Sequence, residues 1–165
     1  MSTLPDFQPR ALLERLVARG VDFVLIGGFA VIVHGHVRLT RDVDIAFATD
    51  HGNLEALGSL LVELDGTPAG VADPVPFSPD SRTLGRVELL TLDTALGRLD
   101  VHARPPGAPP YEALRRNAAR YRLDGFFVLV ASIDDLLSMK RAAGRPSDVA
   151  DVEALEAIRR RGRLY

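Results

Sequence analysis

The chain has 165 residues, 47% of them hydrophobic and 25% charged, and a formal net charge of −2. This describes an ordinary globular chain, one domain long enough to bury a real core, and it excludes a global basic field that would announce a nucleic-acid partner. There is no cysteine, so disulfides and thiolate metal sites are excluded and a reducing, cytoplasmic setting is expected.

The first residues carry Asp6, Arg10, Glu14 and Arg15 without an apolar run, so no signal peptide is expected there. Residues 9–19 set Leu12, Leu13, Leu16 and Val17 at helical spacing ahead of Gly20, which predicts an amphipathic helix. Residues 22–26 read as a short buried strand. The most apolar stretch, 21–33, contains Asp22 and two glycines and falls short of the roughly 20 residues of a membrane helix. Gly27-Gly28 allows a tight turn and a close approach of backbone to a ligand. A short helix is expected over 29–34, ended by Gly35, and the bare N–H groups at its start are a natural phosphate seat. The same pair can also do no more than turn the chain.

Residues 42–48 are the next expected strand, and they place Asp42 and Asp44 two positions apart in an otherwise apolar run. Alternation puts both carboxylates on one face, with Val43 and Ile45 on the other. Aspartate is disfavoured in strands, and two like charges raise each other's pKa unless a positive charge lies between them. A Mg²⁺ or Mn²⁺ ion answers both difficulties. A solvated edge strand, with each aspartate paired to Arg38 or Arg41, answers them as well.

Asp50 is placed to cap a helix bearing Leu54, Leu57, Leu60, Leu61 and Leu64. Residues 66–81, rich in Pro, Gly and Asp, read as an irregular excursion. Two strands follow, 87–92 and 97–103, and the second sets Asp100 in a β run where it can come beside Asp42 and Asp44. Three carboxylates on one face are the usual protein share of a two-metal site. His34, His36, His51 and His102 show no zinc spacing; His102, two residues from Asp100 on the same strand face, is expected to support the carboxylates from beside them. Residues 111–120 are expected as a helix, with Arg115, Arg116, Arg120 and Arg122 in or after it, and 126–130 as another strand. Ser132 and Asp135 match a capping box for a helix carrying Leu136, Leu137, Met139 and Lys140, which Gly144 ends; Pro146 suits the first turn of a last helix. Lys140 is the single lysine among 20 basic residues, so it stands out where arginine is otherwise used throughout.

Gly27-Gly28, Arg38-x-Thr40-x-Asp42-x-Asp44, Asp100, and the segment from Met139 through Lys140, Arg141, Gly144, Arg145, Pro146 and Asp148 to Asp151 form an ordered set. It resembles the nucleotidyltransferase superfamily with its DNA polymerase β-like fold, and within it the AbiEii/MenT-type nucleotidyltransferase toxins and their bacterial relatives. The resemblance runs from about Asp22 to Leu155 and is weakest over 66–86. Many members carry Gly-Ser where this chain has Gly27-Gly28, so a phosphate-binding hydroxyl is missing at Gly28. The long spacing to Asp42 favours the AbiEii-like group over the compact antitoxin-type enzymes.

The resemblance implies an α/β (α+β) fold: a mixed twisted sheet of about five strands flanked by helices. A nucleotidyltransferase core over 1–131 and a C-terminal helical segment over 132–165 would form a single domain. It implies a metal-dependent transfer of NMP from an NTP to an acceptor, with Mg²⁺ or Mn²⁺ held by Asp42, Asp44 and Asp100. Asp100 is the candidate to take the acceptor's proton. Gly27, Gly28, Arg38, Thr40, Lys140 and Asp148 are implied on the nucleotide, with Lys140 also counted among the catalytic residues. The implied acceptor is RNA, a tRNA end, and the implied partner a cognate antitoxin protein, with no membrane. The arginines at 115–122 and 159–163 can contact RNA phosphates, or simply solvate helix ends and complement their dipoles. Three other readings stand beside this one: an antitoxin-like enzyme that adenylylates protein, a small-molecule nucleotidyltransferase, and a non-catalytic nucleotide-binding module.

Overall fold

A computed structural model describes residues 5–72 and 77–163. Its centre is a seven-stranded mixed sheet in the order β3-β4-β5-β2-β1-β7-β6. The strands are β1 (Phe23–Ile26), β2 (Asp42–Phe47), β3 (Thr67–Pro68), β4 (Leu89–Thr94), β5 (Gly97–His102), β6 (Ala119–Leu123) and β7 (Phe126–Val130). The pairs β2–β5 and β1–β7 are parallel and the others antiparallel. Among the described residues seven helices accompany it: α1 (Pro9–Ala18), α2 (Gly27–Val33), α3 (His51–Glu63), α4 (Ser81–Leu84), α5 (Tyr111–Asn117), α6 (Ile133–Ala143) and α7 (Pro146–Gly162). No helix among the described residues is long and apolar enough to cross a membrane.

The expectation of about five strands is corrected to seven, and both additions lie at sheet edges. β3 is two residues long and pairs with β4 inside the stretch expected to be irregular; residues 73–76 of that stretch lie outside the described residues. β6 replaces the end of the helix expected over 111–120. α5 stops at Asn117 because Ala118 turns to an extended ψ of 145°, and Ala119–Leu123 then pairs with β7. Arg120 and Arg122 are exposed there, while Tyr121 and Leu123 at the alternate positions pack against the core.

Apolar burial on one face of the central strands fixes which side remains for chemistry. Val43, Ile45, Leu99 and Val101 are fully buried and join Leu12, Leu13 and Leu16 of α1 and Leu57, Leu60 and Leu61 of α3 in one core. Period two then obliges Asp42, Asp44, Asp100 and His102 to point to the opposite face. Asp50 caps α3 by accepting from the Asn53 N–H. Asn53, itself buried, accepts from the Asp22 N–H at 2.7 Å and donates to the Asp22 and Ala48 carbonyls, tying the start of β1 to the end of β2. Ser132 caps α6 as expected. Gly144, at φ +61°, ends α6 in the left-handed region and lets α7 start two residues later. α6 and α7 pack on each other and on α2.

Candidate active site

The parallel pairing of β2 with β5 sets Asp44 directly beside Asp100, and Asp42 beside Arg98. Ligand atoms of Asp44, Asp100 and His102 all lie within 4.8 Å of one another, which suits a shared cation. Asp42 follows one step down the same face of β2, and the Thr40 hydroxyl is 3.4 Å from its Oδ1. The three carboxylates therefore share a face, but the group within ligating distance is Asp44, Asp100 and His102, and does not include Asp42. His102 is closer in than expected: its Nε2 lies 3.1 Å from Asp44 Oδ1, across the strands. It supports Asp44 in this arrangement and belongs to the group able to hold a metal.

The site carries an unmet demand for positive charge. Asp100 Oδ1 is, among the described residues, the buried side-chain polar atom left without a hydrogen-bond partner. Burial, and then the neighbouring charge of Asp44, push the Asp100 carboxyl up to about 6. Burial and Asp44 likewise raise Asp42, against the lowering effect of Thr40 and Arg98. Two carboxylates and a histidine, with one buried oxygen unsatisfied, fit a divalent cation.

Opposite the carboxylates, β1 runs directly into α2 at Gly27, whose φ is +71°. A Cβ at Gly27 would lie 2.4 Å from Asp44 Oδ2, and one at Gly28 would lie 2.9 Å from Arg38 Nη1. Gly27 is thus required, by its positive φ and by Asp44, whereas at Gly28 the nearest atom is the movable end of Arg38. The helix starts two residues earlier than the 29–34 expected, so the glycine pair is the first turn of α2 itself.

The loop into β2 alternates. Val37 and Leu39 are 93% and 94% exposed, while Arg38 turns inward to pair with buried Asp151 of α7. Lys140 of α6 is 6% exposed, and its Nζ lies 2.9 Å from Asp151 Oδ2 and 3.2 Å from Asp148 Oδ1. Arg145 donates to Asp148 from its backbone N–H and its Nε, both at 3.0 Å. Asp148 is held below the usual carboxylate range: burial alone would raise it, but the bonds from Arg145 and Lys140 outweigh that.

A cavity of about 390 Å³ joins these elements, lined by Gly27, Gly28, Arg38, Thr40, Asp42, Asp44, Asp100, Lys140, Arg145 and Asp148 among others. Each nucleotide- and metal-site residue expected from the sequence reaches this one space. Arg145, which stands in the Lys140–Asp151 motif but was assigned no role from the sequence, also reaches this cavity. The 390 Å³ cavity shares Thr40, Arg41 and Asp42 with a second one of about 450 Å³, which also reaches Phe7, Asp93 and Arg98.

No protein-family model matches the sequence, and no curated protein matches it either. Solved structures do. The lincosamide antibiotic adenylyltransferase LnuA, bound to lincomycin, superposes with a TM-score of 0.61 over 93% of this chain and 99% of its own, at 18% identity. The chain has the nucleotidyltransferase fold. An antigenic nucleotidyltransferase-like protein from Paracoccidioides brasiliensis matches with a TM-score of 0.57, over 88% of this chain and 72% of its own, at 18% identity. ANT(2'')-Ia in complex with adenylyl-2''-tobramycin matches with 0.54, over 93% and 95%, at 14% identity.

Proposed function

We propose that the protein is a metal-dependent nucleotidyltransferase that moves NMP from an NTP to an acceptor hydroxyl. The observation carrying this reading is the register of Asp44 with Asp100, with a buried Asp100 oxygen left unpartnered, opposite Gly27, where Asp44 leaves no room for a side chain. Asp44, Asp100 and Asp42, with His102 beside them, would hold a divalent cation, which would supply charge neutralisation at the reacting phosphate and acidification of the acceptor hydroxyl.

The chain's own residues do the rest. Backbone N–H groups at Gly27-Gly28 seat the phosphates where α2 begins. Arg38 offsets triphosphate charge from the other side of the glycines, and Thr40 steadies Asp42. His102 holds Asp44 in place. Asp100 takes the proton of the attacking hydroxyl as its oxygen bonds to the α-phosphorus; the bond from that phosphorus to the bridging oxygen breaks and pyrophosphate leaves.

The resemblance to the AbiEii/MenT-type toxins makes the acceptor an RNA end and the partner an antitoxin protein. A second reading, a small-molecule acceptor, is favoured by the 450 Å³ cavity that shares Asp42 with the carboxylate site, a size suited to a small ligand. The fold shared with LnuA and ANT(2'')-Ia, two proteins described with antibiotics, points the same way.

Incubating the protein with each labelled NTP and Mg²⁺, in turn with total RNA, lysate protein and a panel of polyhydroxylated small molecules, tests the reading. Label transferred to one acceptor class and lost with Asp44→Asn supports it. Transfer that survives Asp44→Asn overturns it. Calorimetry with NTP, with and without Mg²⁺, separates an enzyme from a non-catalytic module, which would show no metal-dependent binding.

A further inference from the structure

We infer that Lys140 is a positioning residue, a buried strut that lets Asp148 and Asp151 hold two arginines, Arg145 and Arg38, as the clamp on the triphosphate. This rests on the nucleotidyl-transfer reading above. The resemblance instead puts Lys140 on the nucleotide, and the geometry argues for an indirect role.

Lys140 sits in the last turn of α6, facing the first two turns of α7 across the Gly144 break. Its side chain is 7% exposed, and its ammonium spends two of three donors on Asp148 and Asp151, which are 3% and 2% exposed. Each of those carboxylates in turn holds one arginine of the cavity wall. Asp151 Oδ2 accepts from Arg38 Nη1. Asp148 accepts from the Arg145 backbone N–H, Nε and Nη2. Arg38 reaches Gly28 at the head of α2, and Arg145 lies close enough to Asp42 and Asp44 to feel their charge. The five groups carry three positive and two negative charges, so one positive charge is left facing the three acids of the opposite wall.

Without Lys140, two buried carboxylates would share the two arginines and pull them inward, away from the cavity. With it, each arginine is oriented by its carboxylate and keeps donors free. A guanidinium is the better phosphate clamp, since its planar fork bonds two oxygens at once, whereas the single lysine of the chain is used where a compact cation must fit between two acids.

The test uses the full-length protein and reads the melting temperature without nucleotide together with the NTP KM and kcat. Lys140→Met is expected to lower the melting temperature and raise KM about tenfold while leaving kcat within about threefold, as for the loss of an orienting charge pair. The double variant Lys140→Met/Asp151→Asn, which removes one charge of each sign, is expected to recover most of the melting temperature and bring KM to within about threefold of wild type. Arg145→Gln, at a side chain 68% exposed, is expected to raise KM and to lower the melting temperature less than Lys140→Met does. A double variant as weak for NTP as Lys140→Met alone would place the ammonium on the nucleotide and overturn the strut. So would an unchanged melting temperature in Lys140→Met. If Lys140→Met does not fold, the double variant decides the point. Failure of the wild type to bind any NTP overturns the clamp and the transfer reading together, and the melting temperatures still decide the strut.

Discussion

Asp44 and Asp100 stand side by side on parallel strands, and His102 braces Asp44 from across the pairing. Such an arrangement costs stability when nothing positive occupies it. Asp100 titrates near 6 in the folded chain against an ordinary 3.8, because of burial and the Asp44 charge. Between those two values the folded protein binds more protons than the unfolded one, so metal-free stability falls as pH rises through about 4 to 6. Asp42, raised for the same two causes, adds to this trend. Asp100→Asn is therefore expected to stabilise the metal-free protein at pH 7 by about 1 kcal/mol, after allowance for solvent screening of a partly exposed group, and to flatten the pH dependence. Thermal melts in EDTA at pH 5, 6 and 7 check this. Asp44→Asn should cut transfer by about a thousandfold or more while the melting temperature holds or rises, because it removes charge needed only for the cation. At this scale the sequence was informative about which acids matter, since alternation alone puts Asp42 and Asp44 on one face. It could not tell that His102 serves Asp44: that contact runs across strands and depends on register, which long-range pairing sets.

At the scale of elements, the turn from β1 into α2 and the loop into β2 form the working edge. Gly27 and Gly20 make a controlled comparison, because their φ values are +71° and +69°. A Cβ at Gly20 meets nothing within 4 Å, whereas at Gly27 it collides with Asp44. Gly20→Ala is expected to cost about 1 kcal/mol, the left-handed penalty alone. Gly27→Ala should cost about 2 kcal/mol more as Asp44 is displaced, and metal binding should weaken with it. Denaturant melts of the two variants, with Mg²⁺ titrations, measure the difference. Asn53→Ala would strip three hydrogen bonds from the junction of β1 with β2 and leave the Asp22 N–H and Ala48 carbonyl short of partners, a loss of about 2–3 kcal/mol. Elements with a buried face were legible: the leucines of α1 and α3, the alternation of β2 and β5, and the caps at Asp50 and Ser132 all declare themselves in sequence. β6 was not, although Ala119, Tyr121 and Leu123 alternate with exposed Arg120 and Arg122: the run is five residues long and continues an arginine-rich helical segment, so pairing with β7 is what decides it.

Over the whole molecule, the strand order brings distant residues to one cavity: Gly27-Gly28 from the first third, Asp100 from the middle, and Lys140, Arg145 and Asp148 from α6 and α7. The order of motifs along the chain made the fold legible, since a glycine pair, an acid pair, a third acid and a basic-acidic helical segment follow one another as in nucleotidyltransferases. It did not reveal the acceptor, because acceptor recognition depends on the shape of surfaces flanking the acids. The two acceptor readings differ in salt dependence. With a net charge of −2, RNA would be held by local exposed arginines such as Arg116 and Arg122, so affinity should fall steeply with salt and weaken further in Arg116→Glu/Arg122→Glu. A small-molecule acceptor seated beside Asp42 should be indifferent to both.

Asp44 and Asp100 must share a cation for this chemistry, and Mn²⁺ binding followed by electron paramagnetic resonance tests that most directly. We expect the wild type to bind Mn²⁺, to bind it more tightly with a non-hydrolysable NTP, and to lose that binding in both Asp44→Asn and Asp100→Asn. Wild-type affinity retained by both variants, or a wild type that leaves all Mn²⁺ free even with NTP present, would contradict it.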